Sequence, residues 1–95
     1  MRILKFTAEW CGPCKALKKT QAVENAAKVA GIPYIEIDVD QEVNKEMARV
    51  HGIRSIPAVL MINEKTGHIY TSLFGARTQE EYEKAFIMAK VDEND

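Results

Sequence analysis

The segment Cys11-Gly12-Pro13-Cys14 constrains this chain more than any other. It sits directly after an apolar run and directly before a helical pattern, and it holds the only two cysteines among 95 residues. A chain this short forms one domain around a single core of modest size. Two cysteines so close in sequence constrain the unfolded chain little, so they are not the framework of a disulfide-stapled mini-protein. Three readings remain for the pair: thiol chemistry, half of a metal site, or two structural cysteines.

The surroundings weigh those readings. Cysteines at positions i and i+3 around a first helical turn lie close enough to form a disulfide. Cys11, at the helix end, would meet unsatisfied N–H groups and the positive end of the helix dipole, and both favour a thiolate. Pro13 suits the first turn because its missing N–H would be unpaired there anyway. Gly12 would leave the Cys11 sulfur open to a bulky partner. A metal would need two more ligands, and His51 and His68, the only histidines, stand at no familiar zinc-finger spacing, so no metal is expected. Cys-x-x-Cys between a strand and a helix, near a βαβ pattern, is a redox signal.

The rest of the chain supplies that pattern. Residues 3–8 read as a strand apolar on both parities, with Lys5 as the exception. Apolar positions recur at helical spacing from Cys14 to Ala30, and Gly31 and Pro33 stop the helix. Residues 33–39 read as a second buried strand with Ile35, Ile37 and Val39 on one face. Residues 43–51 suit a shorter helix closed by Gly52, with His51 complementing its dipole. Residues 58–62 and 69–74 read as a hairpin around the loop 63–67. Thr78 and Glu81 form a capping box opening a last helix to about Lys90, which packs Tyr82, Ala85, Phe86 and Ala89. Met47, Met61 and Met88 read as core fillers.

The order β-α-β-α-β-β-α predicts an α/β domain over residues 1–91, followed by a short acidic tail at 92–95. Strand–helix–strand units imply parallel pairing through crossovers, and the hairpin implies an antiparallel edge. The expected product is a four-stranded mixed sheet with helices on both faces.

Charge excludes some functions. Thirteen Lys and Arg against 14 Asp and Glu leave a net charge of −1, with no basic surplus for nucleic acid or an anionic membrane. No apolar run approaches the ~18 residues of a membrane span. Arg2, Lys5 and Glu9 interrupt what a signal peptide would need. A cytoplasmic monomer is the expectation. Lys15, Lys18 and Lys19 form a solvated helix face, or a docking patch for an acidic partner.

The run Ala8-Glu9-Trp10-Cys11-Gly12-Pro13-Cys14-Lys15 resembles the active-site segment of thioredoxins. Asp38-Val39-Asp40-Gln41, Gly52-Ile53-Arg54-Ser55-Ile56-Pro57, Gly67 and Phe74-Gly75-Ala76 continue the resemblance in family order. The resemblance implies a thiol–disulfide oxidoreductase that reduces protein disulfides. Cys11 would be the nucleophile, Cys14 the resolving thiol, and Pro57 a cis-proline facing them. Trp10, Gly12, Pro13, Ile56, Pro57, Gly75 and Ala76 would form the apolar surface that meets the client. No bound cofactor is implied: electrons would come from NADPH through a flavin-containing thioredoxin reductase. Two rivals are a glutathione-linked, glutaredoxin-like activity and a non-catalytic binding subunit of a larger assembly.

Three departures from the family stand out. The chain starts at the strand containing Ile3, which implies a minimal thioredoxin fold lacking the usual N-terminal strand and helix. The family's buried Asp is here Lys5, and a strand position that usually holds Lys is Glu36. Lone charges in apolar strands need partners, so Lys5 and Glu36 are expected to pair beneath the cysteines and to take over proton transfer to Cys14. The proline that kinks the first helix in many members is here Lys19, which predicts a straighter helix.

Overall fold

The computed structural model describes residues 1–94. Its elements run β1 (Arg2–Thr7), α1 (Gly12–Thr20), α2 (Ala22–Ala30), β2 (Tyr34–Asp38), α3 (Glu42–Val50), β3 (Ala58–Ile62), β4 (Ile69–Phe74) and α4 (Gln79–Asn94). The four strands form one sheet in the order β2-β1-β3-β4. This is the expected α/β fold, a mixed sheet with helices on both faces.

The alternation of strand side chains divides the core in two. On one face Ile3, Val59 and Met61 pack against Leu17 of α1, the alanine-rich side of α2, and Tyr82, Phe86 and Ala89 of α4. On the other, Leu4, Phe6, Ile37 and Leu60 meet Ala48 of α3. Small residues at Ala22, Ala26, Ala27 and Ala30 let α2 lie close to the sheet and to α4. Met61 is buried, whereas Met47 and Met88 are exposed and are not core fillers.

Four expectations need correction. First, β3 enters antiparallel to β1, and only β1 and β2 are parallel. The β2–β3 connection passes over β1 but does not carry the chain back to the other end of the sheet. Gly52, with φ of 68°, reverses it after α3, and the segment 53–57 leads back to the end of the sheet where β2 finished. Second, β2 is not a buried strand: it lies at the sheet edge, and Ile35 is exposed while Ile37 is buried. Third, the first helix is not straight. It breaks at Gln21, which takes a left-handed φ of 56°. The Thr20 hydroxyl causes the break by competing with the helical ladder. It donates to the Leu17 carbonyl at 2.8 Å and accepts the Ala22 N–H at 3.2 Å. Fourth, α4 continues past Lys90 to Asn94, so most of the acidic tail is helical; Asp95 lies outside the described residues.

The capping box forms as expected. The Glu81 N–H donates to the Thr78 hydroxyl at 3.2 Å, and the Thr78 N–H donates to the Glu81 carboxylate at 3.3 Å. These bonds hold the Glu81 carboxyl below its ordinary range.

Candidate active site

Strand β1 delivers the chain to the cysteines. After Thr7 it turns, with the Cys11 N–H donating to the Ala8 carbonyl at 3.2 Å, and α1 begins. Cys11 is the N-cap of α1, and its extended backbone (φ −87°, ψ 112°) lets the side chain fold back over the first turn. The Cys14 N–H donates to Cys11 Sγ at 3.2 Å. The sulfur therefore takes the place of a capping oxygen, satisfying a helix N–H and facing the positive end of the dipole. Cys11 and Cys14 are joined in a disulfide, with Cα atoms 5.2 Å apart. Both are buried, at 6 % and 2 % exposure, Cys14 the more deeply.

The reversal after α3 brings a second segment to the same place. The Ile56–Pro57 peptide bond is cis. The Ile56 carbonyl oxygen lies 3.8 Å from Cys11 Sγ, and the Ile56 side chain packs against the cluster of Ala8, Cys11 and Cys14. Pro57 is buried, and its carbonyl accepts the Gly75 N–H at 2.9 Å. Gly75 has φ of 83°, a conformation that disfavours side chains. Around these groups Trp10 stands 68 % exposed, and Gly12, Pro13 and Ala76 are also exposed. A Cβ added at Gly12 would meet nothing beyond its chain neighbours, so the surface there is open.

A groove of about 850 Å³ opens beside Cys14, with Trp10, Lys18, Glu36 and Asp38 among its walls. Beneath it lies a charge network. Lys5 faces Glu36 across the parallel β1–β2 register, and its Nζ is 3.1 Å from Glu36 Oε1. Lys5 is 1 % exposed, whereas the Glu36 side chain keeps 34 %. Two further members were not foreseen. Glu24 of α2 lies 3.5 Å from Lys5 Nζ, and Lys18 of α1 lies 3.7 Å from Glu36 Oε2. The Tyr34 ring adds its face, 5.8 Å from Lys5 Nζ. Burial, with the Glu24 and Glu36 carboxylates, pushes the Tyr34 hydroxyl well above its ordinary value.

Tyr82 is the other residue whose role at the site was missed, since its pattern marks only the core. Its hydroxyl donates to the Gly75 carbonyl at 3.3 Å and accepts the Arg77 N–H at 3.2 Å, tying the loop beside Pro57 to α4. Among the described residues no group of His, Cys, Asp and Glu could hold a metal ion, and no helix is long and apolar enough to cross a membrane.

Fold and site together define a Cys-x-x-Cys protein: an open four-stranded α/β sheet with a cysteine pair on a helix N-terminus, faced by a cis-proline. The family profile named Thioredoxin matches residues 1–89, and the chain belongs to the thioredoxin family. It is 37 % identical over 75 residues to an H-type thioredoxin of Oryza sativa subsp. indica, covering 79 % of this chain and 57 % of that protein. Across four plant thioredoxins that it matches, the chain spans 49 to 62 % of their lengths. Thioredoxin 1 from Thermosipho africanus shares the fold over all of both chains, with a TM-score of 0.78 at 19 % identity. A mutant thioredoxin from Halobacterium salinarum matches at 25 % identity and a TM-score of 0.78, covering 93 % of this chain and 73 % of that one.

Proposed function

We propose that this chain reduces protein disulfides by dithiol exchange through Cys11 and Cys14, with residues 1–91 as the working domain. The observation that carries the reading is the Cys11 sulfur capping α1 and accepting the Cys14 N–H at 3.2 Å. A sulfur so placed is stabilised as a thiolate in the reduced protein.

The reaction takes two displacements. The Cys11 thiolate attacks one sulfur of the client disulfide; a bond forms between them, and the other client sulfur leaves as a thiolate. Cys14 gives up its proton and attacks Cys11 Sγ, which breaks the mixed disulfide and frees the second client thiolate. The client gains two electrons, and the Cys11–Cys14 bond closes. Tethering makes the second displacement fast. Glu36 shares the groove with Cys14 and takes the Cys14 proton, with Lys5 holding the carboxylate in place. The client lies across Trp10, Gly12, Pro13, Gly75 and Ala76 and pairs its backbone with the chain at Ile56 and Pro57, in the manner of strand addition.

The chain works as a cytoplasmic monomer without a resident cofactor, and a flavin-containing thioredoxin reductase returns electrons to it from NADPH. Glutathione suits the site less well. It carries a net negative charge, whereas the groove sets Glu9, Glu36, Asp38 and Asp40 against Lys15 and Lys18.

Reduction of insulin disulfides, driven either by reductase with NADPH or by glutathione, tests the proposal. Activity should follow the reductase, vanish in Cys11→Ser, and stall as a trapped mixed disulfide in Cys14→Ser. Equal cellular function of the Cys11→Ser/Cys14→Ser variant and the wild type would instead establish a binding subunit.

A further inference from the structure

The charge network beneath the cysteines has a stoichiometry that the Lys5–Glu36 pair alone does not have. Glu24, Lys5, Glu36 and Lys18 alternate in sign, with contacts of 3.5, 3.1 and 3.7 Å. They come from α2, β1, β2 and α1, so the cysteine helix and three elements around it each contribute one charge. Two ammonium groups meet two carboxylates, and the cluster is neutral only while Glu24 is present. Lys5, 1 % exposed, is the member least screened by water, and Glu36 and Lys18 of the same network line the groove with Cys14, so the balance of charge around Lys5 bears on the field at the cysteines. Its hydrogen bond from Nζ to Glu24 Oε1 crosses from the sheet to α2.

That field matters because the two redox states differ in charge. The disulfide is neutral. Reduction adds two electrons; Cys14 takes up a proton, and Cys11, at the helix N-terminus, remains a thiolate. The reduced form therefore carries one extra negative charge. A net positive charge nearby favours that form, and a balanced network does not.

We propose that Glu24 is a positioning residue that sets the redox poise of the Cys11–Cys14 pair by holding and neutralising the buried Lys5 ammonium. This rests on the reading of the two cysteines as a redox pair. In consequence the lysine, a residue that alone would make the pair oxidising, is compatible with a reducing role.

Equilibration of the full chain with dithiothreitol at about pH 8, near the ordinary thiol range, tests this by measuring the disulfide-to-dithiol ratio. Glu24→Gln keeps the shape and removes the charge. It should shift the equilibrium about threefold towards the dithiol, which is ~14 mV for a two-electron couple. Glu24→Asp should restore the wild-type ratio. Lys5→Met should shift the ratio about threefold the opposite way, and Lys5→Met/Glu24→Gln should return it to the wild-type value. A purely structural role for Glu24 would lower the melting temperature of Glu24→Gln and leave its ratio unchanged. Equal ratios in folded wild type and Glu24→Gln overturn the inference. Where Glu24→Gln is too unstable to measure, the Lys5→Met pair decides: the same ratio with and without Glu24→Gln overturns it too. A wild-type pair that does not equilibrate with dithiothreitol at all removes the redox reading itself.

Discussion

Lys5 sits inside a sheet because its long apolar stem packs like a core side chain while two carboxylates and an aromatic face meet the ammonium. An unpaired charge there would cost several kcal/mol. Its pairing with Glu36 was legible in the sequence, since each interrupts the apolar run of a strand and each stands where the resembling family carries the opposite charge. Glu24 was not legible. It lies among the polar positions of a helix, and its direction depends on a break that nothing in the hydrophobic pattern announces. Tyr82 was half legible: its place in the core follows from helical spacing, but its hydroxyl bonds to Gly75 and Arg77 are tertiary. Tyr82→Phe should cost about 1 kcal/mol, the usual net value of a hydrogen bond, seen as a lower denaturant midpoint. It should also slow client reduction, because the Gly75 loop loses its tie to α4. An unchanged exchange rate would show that the loop is held by Pro57 alone.

At the scale of elements, the break between α1 and α2 is the clearest case of local chemistry overriding periodicity. Without a proline at position 19 the helix looked continuous, yet Thr20 offers the backbone a side-chain partner and Gln21 absorbs the turn in the left-handed region. A left-handed L-residue costs ~1–2 kcal/mol relative to glycine, partly offset by glycine's larger entropy when unfolded. Gln21→Gly should therefore raise stability by up to about 1 kcal/mol, checked by thermal unfolding. Thr78→Ala removes the hydroxyl that accepts the Glu81 N–H and donates to the Glu81 carboxylate, leaving only the backbone half of the α4 capping box, and should cost about 1 kcal/mol. The same box has a pH signature. Because folding lowers the Glu81 pKa, its stabilisation is present above the unfolded value of 4.5 and is lost as pH falls through the folded value. Acid unfolding of Thr78→Ala should begin from a lower plateau and lose less across that window.

For the molecule as a whole, two tyrosines set an alkaline limit. Folding raises the pKa of Tyr34 and Tyr82 above 10.0, so the folded state binds their protons more tightly than the unfolded chain does. The resulting stability is complete below pH 10 and declines as pH rises towards the folded values. In Tyr70→Phe, which leaves only these two tyrosines, phenolate absorbance should follow the loss of helical signal, and a phenolate signal from both residues before unfolding would contradict this. Topology was the least legible property at this scale. Parallel pairing of the three strands in the two strand–helix–strand units was a fair reading of the order of elements, but Gly52 and the segment 53–57 return the chain and admit β3 antiparallel. That return brings Pro57 to Cys11. It also sends the 63–67 hairpin the other way: Ala58 lies opposite Phe6 near the cysteines, while Ile62 lies opposite Arg2 at the far end of β1. The loop tip is thus separated from the reactive end by roughly the length of a strand, ~16 Å at ~3.3 Å per residue. A fluorophore, surface tether or inserted peptide between Thr66 and Gly67 should leave client access intact, which makes that tip the natural handle for immobilising the protein or reporting on it.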